Sequence, residues 1–305
     1  MTPGLRDIEY FVAIAEHGNV GRAAESLGLS QPALSKSLRR IESSMQTKLV
    51  RKVPKGIELT AVGAAFLTHV RRIRLSLDDV AHEVADLTLG RAGHLRIGAN
   101  QFAVDHLLPE ACNALMKSAQ KITWTVTVGQ NDALVPALRN GAFDLVVAGV
   151  PEFPERHLVQ EQLVNDEFAV ITSVTHPLAK QKKVTIADLA RYQWALSGPG
   201  TLAPEYVERV FKDNGQPPPD VTFQTNAPHL LMHAVASSDL LGFQSRWDVR
   251  HVAPRLRLAE MRVPELAWVR RLGVRYRKDA YLSPAALRFI EMLKTTAKEI
   301  ATATV

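Results

Sequence analysis

The first sixty residues carry the spacing of apolar side chains that short amphipathic helices require. Apolar residues recur at helical intervals from Leu5 to Gly18, where a first helix is expected to end. Asn19 and Ser30 are suitable N-cap residues for two further helices. Over residues 50–59 a proline and a glycine separate two short apolar runs, which predicts a small β-hairpin. The pattern thus predicts three helices followed by a hairpin.

A long amphipathic segment follows, and its apolar positions have the spacing of a coiled coil. Seven apolar side chains alternate at intervals of four and three residues, within a predicted helix about 40 Å long. Residues of both charge signs lie between them, which favours packing against a helix of a second chain over packing on the same chain. The predicted dimerisation seam consists of Phe66, Val70, Ile73, Leu77, Val80, Val84 and Leu87.

From His94 onwards, short apolar runs alternate with amphipathic segments. This alternation is typical of α/β domains whose sheets are mostly parallel. It breaks near Pro151–Pro154 and then resumes, so that two separate runs are present. The pattern predicts two lobes, and a last strand over 268–276 and a last helix over 284–300 complete the chain.

Composition and charge narrow the class of protein without defining it. The 305 residues are 46% hydrophobic and 22% charged, which is the balance of a globular chain rather than a disordered one. The formal net charge of +6 is compatible with a polyanionic partner such as nucleic acid. Between residues 36 and 55, seven basic residues stand against one acidic residue, so positive charge is concentrated on the third predicted helix and the segment directly after it.

The number of cysteines and the lengths of the apolar runs indicate the cellular compartment. Cys112 is the single cysteine, so an intrachain disulfide framework is excluded, and we expect this residue to be a small core residue rather than a redox sensor. Neither a signal peptide nor an apolar run of about 20 residues is visible. We therefore expect a cytoplasmic protein that does not enter the membrane.

The second and third predicted helices meet at a tight turn over residues 28–30, as in a helix-turn-helix. An α-helix fits the major groove of DNA, where the base edges distinguish all four base pairs. Polar side chains on the third helix suit base contacts, and basic side chains on the hairpin suit phosphates. The alternative is a small helical bundle with a solvated basic face. The predicted DNA-binding residues are Ser30, Gln31, Pro32, Ser35, Lys36, Arg39, Arg51, Lys52 and Lys55.

Short motifs along nearly the whole chain resemble the LysR-type transcriptional regulators. The most specific one lies within residues 23–35 and includes Ser30-Gln31-Pro32-Ala33-Leu34-Ser35. Leu95-Arg96-Ile97-Gly98, Phe143-Asp144-Leu145 and His176-Pro177-Leu178 follow in the order that the family shows. One departure is Gln46, which stands where the family has a glycine after the recognition helix.

The resemblance implies a multidomain chain in three parts. An all-α winged helix-turn-helix would occupy residues 1–60, a long linker and dimerisation helix residues 61–91, and an α/β sensor domain residues 92–305. The sensor would be two-lobed like a periplasmic binding protein. Its first lobe would comprise about residues 92–163 and 269–305, and its second lobe about residues 164–268.

The resemblance also implies a function and partners. The chain would be a sequence-specific regulator that binds double-stranded promoter DNA and responds to a small organic effector in the cleft between the lobes. It would assemble with itself as a dimer of dimers, a homotetramer, and RNA polymerase is left open as a further partner. No cofactor is implied.

Polar residues follow the strands of the predicted sensor at positions where α/β proteins bind ligands, namely the carboxyl ends of strands and the starts of helices. Polar groups beside the ring of Phe102, together with the resemblance, suggest a small organic acid. The alternative for residues 197–201 is an ordinary turn. The candidate effector-binding residues are Asn100, Gln101, Phe102, Gln130, Ser197, Thr201, Thr225 and Asn226.

Two other classes of protein explain the sequence less well. A solute-binding protein for transport would account for residues 94–305 but not for residues 1–90. An α/β enzyme with an amino-terminal interaction domain would need a catalytic constellation, and no catalytic motif is visible. His229 and His233 have the spacing of metal ligands, but no Glu or Cys nearby completes a site. We therefore expect a regulator that is not an enzyme and holds no metal.

Overall fold

The structure, a computed structural model, describes residues 4–89, 94–118, 122–153 and 155–303. The chain forms two compact units, Met1–Val84 and Ala85–Val305. None of the helices within the described ranges combines the length and the apolar character that crossing a membrane requires.

The first unit is a winged helix-turn-helix followed by the greater part of a long helix. The N-caps expected from the sequence are confirmed, since Asn19 accepts hydrogen bonds from the Gly21 and Arg22 amides and Ser30 accepts one from the Ala33 amide. Its elements are α1 (Leu5–His17), α2 (Val20–Ser26), α3 (Gln31–Met45), β1 (Val50–Val53), β2 (Gly56–Leu59) and α4 (Ala61–Leu89).

The core of this unit also buries the beginning of α4. The ring of Phe66 meets the ring of Phe11 edge-on at 5.1 Å, and Val70 is 1% exposed. Phe66 and Val70 belong to the predicted dimerisation seam, but within the single chain Phe66 packs against α1 and Val70 is already buried. Ile73, Leu77, Val80 and Val84 of the seam are exposed, and the side chain of Leu87 lies outside the described residues.

Gln46 ends α3 in the left-handed conformation, with φ 51° and ψ 32°. This is the position at which the sequence analysis noted the missing glycine. A side chain in this region costs about 1–2 kcal/mol of backbone energy, which glycine avoids. The recognition helix therefore ends on a strained residue.

A Gln46→Gly variant is expected to raise the free energy of unfolding of the first unit by about 0.5–1 kcal/mol, because relief of this strain exceeds the added chain entropy of glycine. Differential scanning calorimetry of the full chain measures the change. Gln46→Ala is the control, since alanine keeps the strain and is expected to give no gain. An equal gain in both variants would contradict the explanation.

The second unit is a nine-stranded sheet with helices on both faces. The strand order is β4-β3-β5-β11-β6-β9-β7-β8, with β10 added on β6. The strands are β3 (His94–Ala99), β4 (Thr123–Val128), β5 (Leu145–Gly149), β6 (Leu158–Ser173), β7 (Gln193–Leu196), β8 (Asp220–Gln224), β9 (Leu241–Ser245), β10 (Leu258–Met261) and β11 (Trp268–Arg277). The helices are α5 (Leu108–Ser118), α6 (Asn131–Arg139), α7 (Ile186–Leu189), α8 (Ala203–Asp213), α9 (Pro228–Ala236), α10 (Arg246–Leu256) and α11 (Pro284–Ala303).

Two long antiparallel strands, β6 and β11, run through both halves of this sheet. We call the half with β3, β4, β5, α5, α6 and α11 the first lobe, and the half with β7 to β10 and α7 to α10 the second lobe. The first apolar core includes Val164 and Leu272, whereas the second includes Phe168 and Trp268. The chain therefore crosses between the lobes twice, within β6 and within β11.

The sheet is mixed rather than mostly parallel as the sequence analysis expected. Within each lobe the neighbouring strands, such as β3 with β4 and β7 with β8, are parallel. The strand β6 is antiparallel to β9, β10 and β11, and β11 is also antiparallel to β5. Alternation along the chain predicts the parallel pairs, but the two crossing strands run in the opposite direction to their neighbours.

Candidate DNA-binding surface and effector cleft

The helix α3 and the hairpin present all nine predicted DNA-binding residues in the first unit. Ser30, Gln31, Pro32, Lys36 and Arg39 are exposed at or on α3, and Ser35 is half-buried. Arg51, Lys52 and Lys55 are exposed on the hairpin. Two of the basic residues have described partners within this unit: Arg39 donates to the Ser35 carbonyl at 3.3 Å, and Arg51 pairs with Glu58 at 2.6 Å.

A buried carboxylate that the sequence analysis missed holds α3 against α1. Asp7 is 4% exposed and accepts hydrogen bonds from the Ser37 hydroxyl at 2.6 Å and from Arg40 Nε at 2.9 Å. The hydrogen bond from Arg40 is the main reason why the pKa of Asp7 is lowered, and burial opposes it. Arg40 therefore has a carboxylate partner within this unit, whereas Lys36 and Arg39 are the other exposed basic residues of α3.

A second buried carboxylate connects α3 to the hairpin. Glu42 accepts a hydrogen bond from the Leu49 amide at 3.0 Å and one from Lys48 Nζ at 2.6 Å. These bonds satisfy a backbone donor at the start of β1 and fix the hairpin relative to α3. The basic side chains of α3 and those of the hairpin are therefore held in a fixed orientation relative to each other.

In the second unit, all eight candidate effector-binding residues line one cleft between the two lobes. The volume of the cleft is about 780 Å³, which is the usual size of a small-molecule site. The residues come from four separate loops that follow β3, β4, β7 and β8. From the first lobe come Asn100, Gln101, Phe102 and Gln130, and from the second Ser197, Thr201, Thr225 and Asn226.

Hydrogen bonds distinguish the lining residues that hold the loops from those that face the cleft. Asn226 Oδ1 accepts a hydrogen bond from the Gly198 amide at 2.9 Å, and Asn226 Nδ2 donates to the Pro199 carbonyl at 3.0 Å, so this side chain shapes the loop after β7. Asn100 accepts from the Ala103 amide at 2.9 Å and is 6% exposed. Ser197 and Thr201 bond each other at 2.8 Å, and the Thr201 hydroxyl also donates to the Gly198 carbonyl at 3.0 Å, so that two hydroxyl groups lie side by side at the cleft.

A buried ion pair forms part of the cleft where the strands cross between the lobes. Arg270 Nη2 lies 2.6 Å from Asp166 Oδ2, and Ser245 Oγ donates to the other carboxylate oxygen at 2.6 Å. Asp166 is fully buried, and burial is the main reason why the pKa of its carboxyl is raised, against the lowering effect of Arg270. The guanidinium of Arg270 packs between Phe102 at 5.6 Å and Phe168 at 4.9 Å.

Sequence reasoning missed this pair because its partners are 104 residues apart. Arg270 and Asp166 face each other across the antiparallel register of β11 and β6. No local pattern indicates that register.

Charges along the cleft are largely compensated among themselves. Glu155 pairs with both Arg139 and Arg275, and Glu152 pairs with Arg271 at 3.3 Å. Burial lowers the pKa of Arg275, whose Nη2 also donates to the Gly149 carbonyl at 2.6 Å. The lining arginines are Arg139, Arg270, Arg271 and Arg275, and the lining carboxylates are Asp132, Glu152, Glu155, Glu205 and Asp248. Because its positive and negative side chains balance in this way, the cleft favours a ligand with little net charge over a polyanion.

No group of three or more His, Cys, Asp or Glu side chains within the described residues is arranged to hold a metal ion. His229 Nε2 lies instead 3.9 Å from Asp105 Oδ2. Cys112 is half-buried, and burial raises the pKa of its thiol. This environment is that of an unreactive thiol.

A winged helix-turn-helix followed by a two-lobed α/β unit with a cleft is the architecture of a ligand-responsive DNA-binding regulator. Residues 5–64 match the family model described as "Bacterial regulatory helix-turn-helix protein, lysR family", and residues 89–298 match "LysR substrate binding domain". The chain belongs to the LysR-type transcriptional regulators.

Relatives with similar sequences are regulators rather than enzymes. The chain is 28% identical over 292 residues to the HTH-type transcriptional regulator GbpR of Azospirillum brasilense, covering 95% of this chain and 85% of that protein. It is 31% identical over 290 residues to the SDS degradation transcriptional activation protein of Pseudomonas sp. (strain ATCC 19151), covering 92% of each.

Solved structures share the fold. Full-length CbnR complexed with its target DNA aligns with a TM-score of 0.60 at 22% identity, over 96% of this chain and 99% of that one. The effector-binding domain of QuiR in complex with shikimate aligns with a TM-score of 0.59 at 20% identity, over 68% of this chain and 98% of that one.

Proposed function

We propose that this regulator binds promoter DNA through α3 and the hairpin, and that a small organic acid in the cleft between the lobes controls this binding or the activation that follows. The main observation in favour of an effector site is that eight polar and aromatic residues from four loops line one cleft of about 780 Å³. The solved relatives that contain target DNA and shikimate support both halves by analogy.

The chemistry of the cleft narrows the proposed effector to an acid with one carboxylate. The hydroxyl groups of Ser197 and Thr201 lie 2.8 Å apart, and rotation of both away from their present acceptors would give two donors for a single anionic group. The lining arginines already have carboxylate partners, so additional negative charges on the ligand would meet the lining acids without compensation. The rings of Phe102, Phe168 and Trp268 suit an apolar or aromatic body.

We also propose that the active assembly is a dimer of dimers, and that RNA polymerase is the partner that responds to the presence or absence of the effector. The exposed apolar side chains of Ile73, Leu77 and Val80 on α4 support the dimer. A symmetric dimer would present two copies of α3 to two half-sites of the operator.

Selection of operator sequences tests the DNA half of the proposal. The purified full-length protein is mixed with random-sequence DNA, and bound fragments are amplified over several rounds at physiological salt. We expect an inverted repeat whose half-sites lie about one helical turn, or a multiple of it, apart. Salt-sensitive binding without any enriched sequence would overturn sequence-specific recognition.

With the selected operator in hand, Ser35→Ala and Arg39→Ala are each expected to weaken binding by about 5- to 150-fold, which corresponds to about 1–3 kcal/mol for a lost base contact. Both residues lie on the α3 face that Lys36 and Gln31 share. Fluorescence anisotropy with labelled operator measures the dissociation constants.

Arg6→Ala is the matched control, because Arg6 is also exposed in this unit but lies on α1. It is expected to change affinity less than Arg39→Ala, although it removes the same charge. Wild-type affinity in both α3 variants would assign recognition to another surface.

A further inference from the structure

A short π-helical turn in the first lobe carries two consecutive residues that meet the second lobe. The turn spans Ala103–Leu107, directly after the cleft residue Phe102. His106 Nε2 lies 2.7 Å from Asp248 Oδ1 at the start of α10, and Asp105 Oδ2 lies 3.9 Å from His229 Nε2 at the start of α9. Two pairs of an imidazole and a carboxylate thus join the lobes. The first lobe supplies the imidazole of one pair and the carboxylate of the other. Turns of this type are rare and are frequent at functional sites.

The pair of His106 and Asp248 is enclosed, whereas the other pair is open to solvent. The side chains of His106 and Asp248 are 14% and 8% exposed, but that of His229 is 60% exposed. Rings of Phe102, Trp247 and His251 surround His106 at 4.7 Å, 5.7 Å and 5.7 Å. The enclosed pair is therefore the stronger of the two contacts, since solvent screens it less.

Few other charges face His106. From α10 it meets Asp248 and the imidazole of His251, and from its own turn Asp105, which accepts a hydrogen bond from Gln101. From β11 the guanidinium of Arg270 lies on the far side of the Phe102 ring. The helices α5 and α11 share an apolar core with the turn, including Ala111, Phe289 and Leu293. Asp248 is thus the dominant electrostatic partner of this imidazole.

The contact between the lobes continues into the crossing strands. The Asp248 amide donates to Ser245 Oγ at 3.4 Å, and this hydroxyl donates to Asp166 at 2.6 Å. Asp166 in turn holds Arg270, which lines the cleft. A chain of hydrogen bonds therefore joins the turn of the first lobe, the start of α10 in the second lobe and both strands that connect the lobes.

We propose that Asp105 and His106 form a proton-dependent clasp that holds the two lobes together around the cleft, so that pH is a second input to this sensor. The clasp itself rests on the geometry of the second unit, and its effect on the effector rests on the function proposed above. Separation of the lobes breaks both pairs at once, because each pair joins one lobe to the other.

The direction of the pH dependence follows from the chemistry of imidazole. Histidine changes its charge between about pH 5 and 8, and a hydrogen bond between imidazolium and carboxylate is about twice as strong as one between neutral groups. The clasp is therefore stronger when His106 is protonated than when it is neutral, and it weakens as the pH rises. The neutral imidazole still donates one hydrogen bond to Asp248, so the contact weakens without being lost.

Hydrogen exchange of the effector-free, full-length protein tests the clasp. Amide exchange is followed by mass spectrometry at pH 5.5 and pH 8.0, and rates are corrected for the intrinsic effect of pH. Segments that line the cleft, residues 100–104 and 197–201, report on opening of the lobes. We expect their protection in the wild type to fall about five- to tenfold from pH 5.5 to pH 8.0, which is the difference between a charge-assisted and a neutral hydrogen bond.

Three variants separate the clasp from general effects of pH. His106→Gln is expected to show little change in protection between the two pH values, and Asp248→Asn serves as a second variant that removes the other partner. His233→Gln is the matched control, since it removes an exposed imidazole of α9 for which no contact with the first lobe is described, and it is expected to keep the wild-type dependence. Segment 145–149, which forms buried β5, verifies the fold of each variant.

Equal protection of the wild type at both pH values would overturn the clasp. So would a pH dependence that survives in both His106→Gln and Asp248→Asn. Because no effector is present, this experiment can succeed while effector binding fails, and the reverse also holds. Failure of one proposal is therefore distinguishable from failure of the other.

Discussion

A Leu77→Asp variant is expected to be monomeric and to lose operator affinity by about 100-fold or more. Leu77 is 48% exposed in the single chain, and Ile73 and Val80 on the same helix are 45% and 57% exposed. A row of large apolar side chains at intervals of four and three residues is the seam of a two-stranded coiled coil. In a dimer this seam is buried, and a carboxylate placed there loses its hydration without gaining a partner.

The loss of operator affinity follows from the loss of the second recognition helix. A dimer binds its second half-site as an intramolecular event, which adds about 10²- to 10⁴-fold in affinity. Sedimentation velocity measures the assembly, and anisotropy with the selected operator measures the affinity. Both are expected to change together, since each depends on the seam.

Thr68→Asp provides the control, because Thr68 lies on α4 outside the seam and its hydroxyl bonds only the Ala64 carbonyl among the described contacts. This variant adds the same charge to the same helix and is expected to keep the wild-type assembly. A Leu77→Asp protein that sediments like the parent would place the dimer interface elsewhere. Phe66 and Val70 are unsuitable for this test, since they pack within the chain's own first unit.

Features that depend on near neighbours could be predicted from the sequence. Ser30 and Asn19 cap their helices through bonds that reach two or three residues along the chain, so the residue type alone indicates them. The eight cleft residues were found by the rule that parallel strands end at a common edge, which needs no knowledge of register. Whether these residues contact an effector stays a prediction.

Features that depend on pairing between distant segments were hidden. The strand β6 extends over Leu158–Ser173, but a continuous apolar run marks only residues 168–171 of it. Before Phe168 the strand carries polar residues that meet β11, as Asp166 meets Arg270 and Glu161 meets Tyr276, so the apolar alternation of a strand is absent there. On α3 the apolar residue Ala33 is exposed, whereas the polar residues Ser37 and Glu42 are buried, and no apolar spacing indicates this.

An Arg270→Met variant is expected to lose about 3–5 kcal/mol in the free energy of unfolding of the second unit, the usual cost of leaving a buried charge without its partner. Asp166 is fully buried and keeps only the Ser245 hydroxyl as a partner in that variant. The reverse change, Asp166→Asn, is expected to cost about 1–2 kcal/mol. The guanidinium of Arg270 is 25% exposed at the cleft, so water can replace part of the lost bond.

Urea unfolding followed by tryptophan fluorescence measures these losses in the full chain. All four tryptophans, Trp124, Trp194, Trp247 and Trp268, lie in the second unit, so the signal does not report on the first. Arg271→Met is the matched control one residue along the same strand. Arg271 is 40% exposed and pairs with the exposed Glu152, and loss of such a surface pair costs about 0–1 kcal/mol.

The pH dependence provides a second, independent criterion. Burial raises the pKa of Asp166, so the folded protein holds a proton there more tightly than the unfolded chain does. The contribution of this group to stability is therefore present at low pH and is lost as the pH rises through the raised pKa. Removal of Arg270 takes away the cation that stabilises the carboxylate, so the penalty is expected to be largest at neutral pH and to shrink as the pH falls.

The double variant Asp166→Asn with Arg270→Met completes the cycle. It contains neither the buried charge nor its partner, so it is expected to be more stable than Arg270→Met alone. Equal losses in Arg270→Met and Arg271→Met, or strictly additive losses in the double variant, would mean that the pair contributes no more than a surface ion pair. A larger loss in Arg270→Met, partly recovered in the double variant, would instead show that this pair stabilises the two crossing strands. Any relative motion of the lobes depends on these strands.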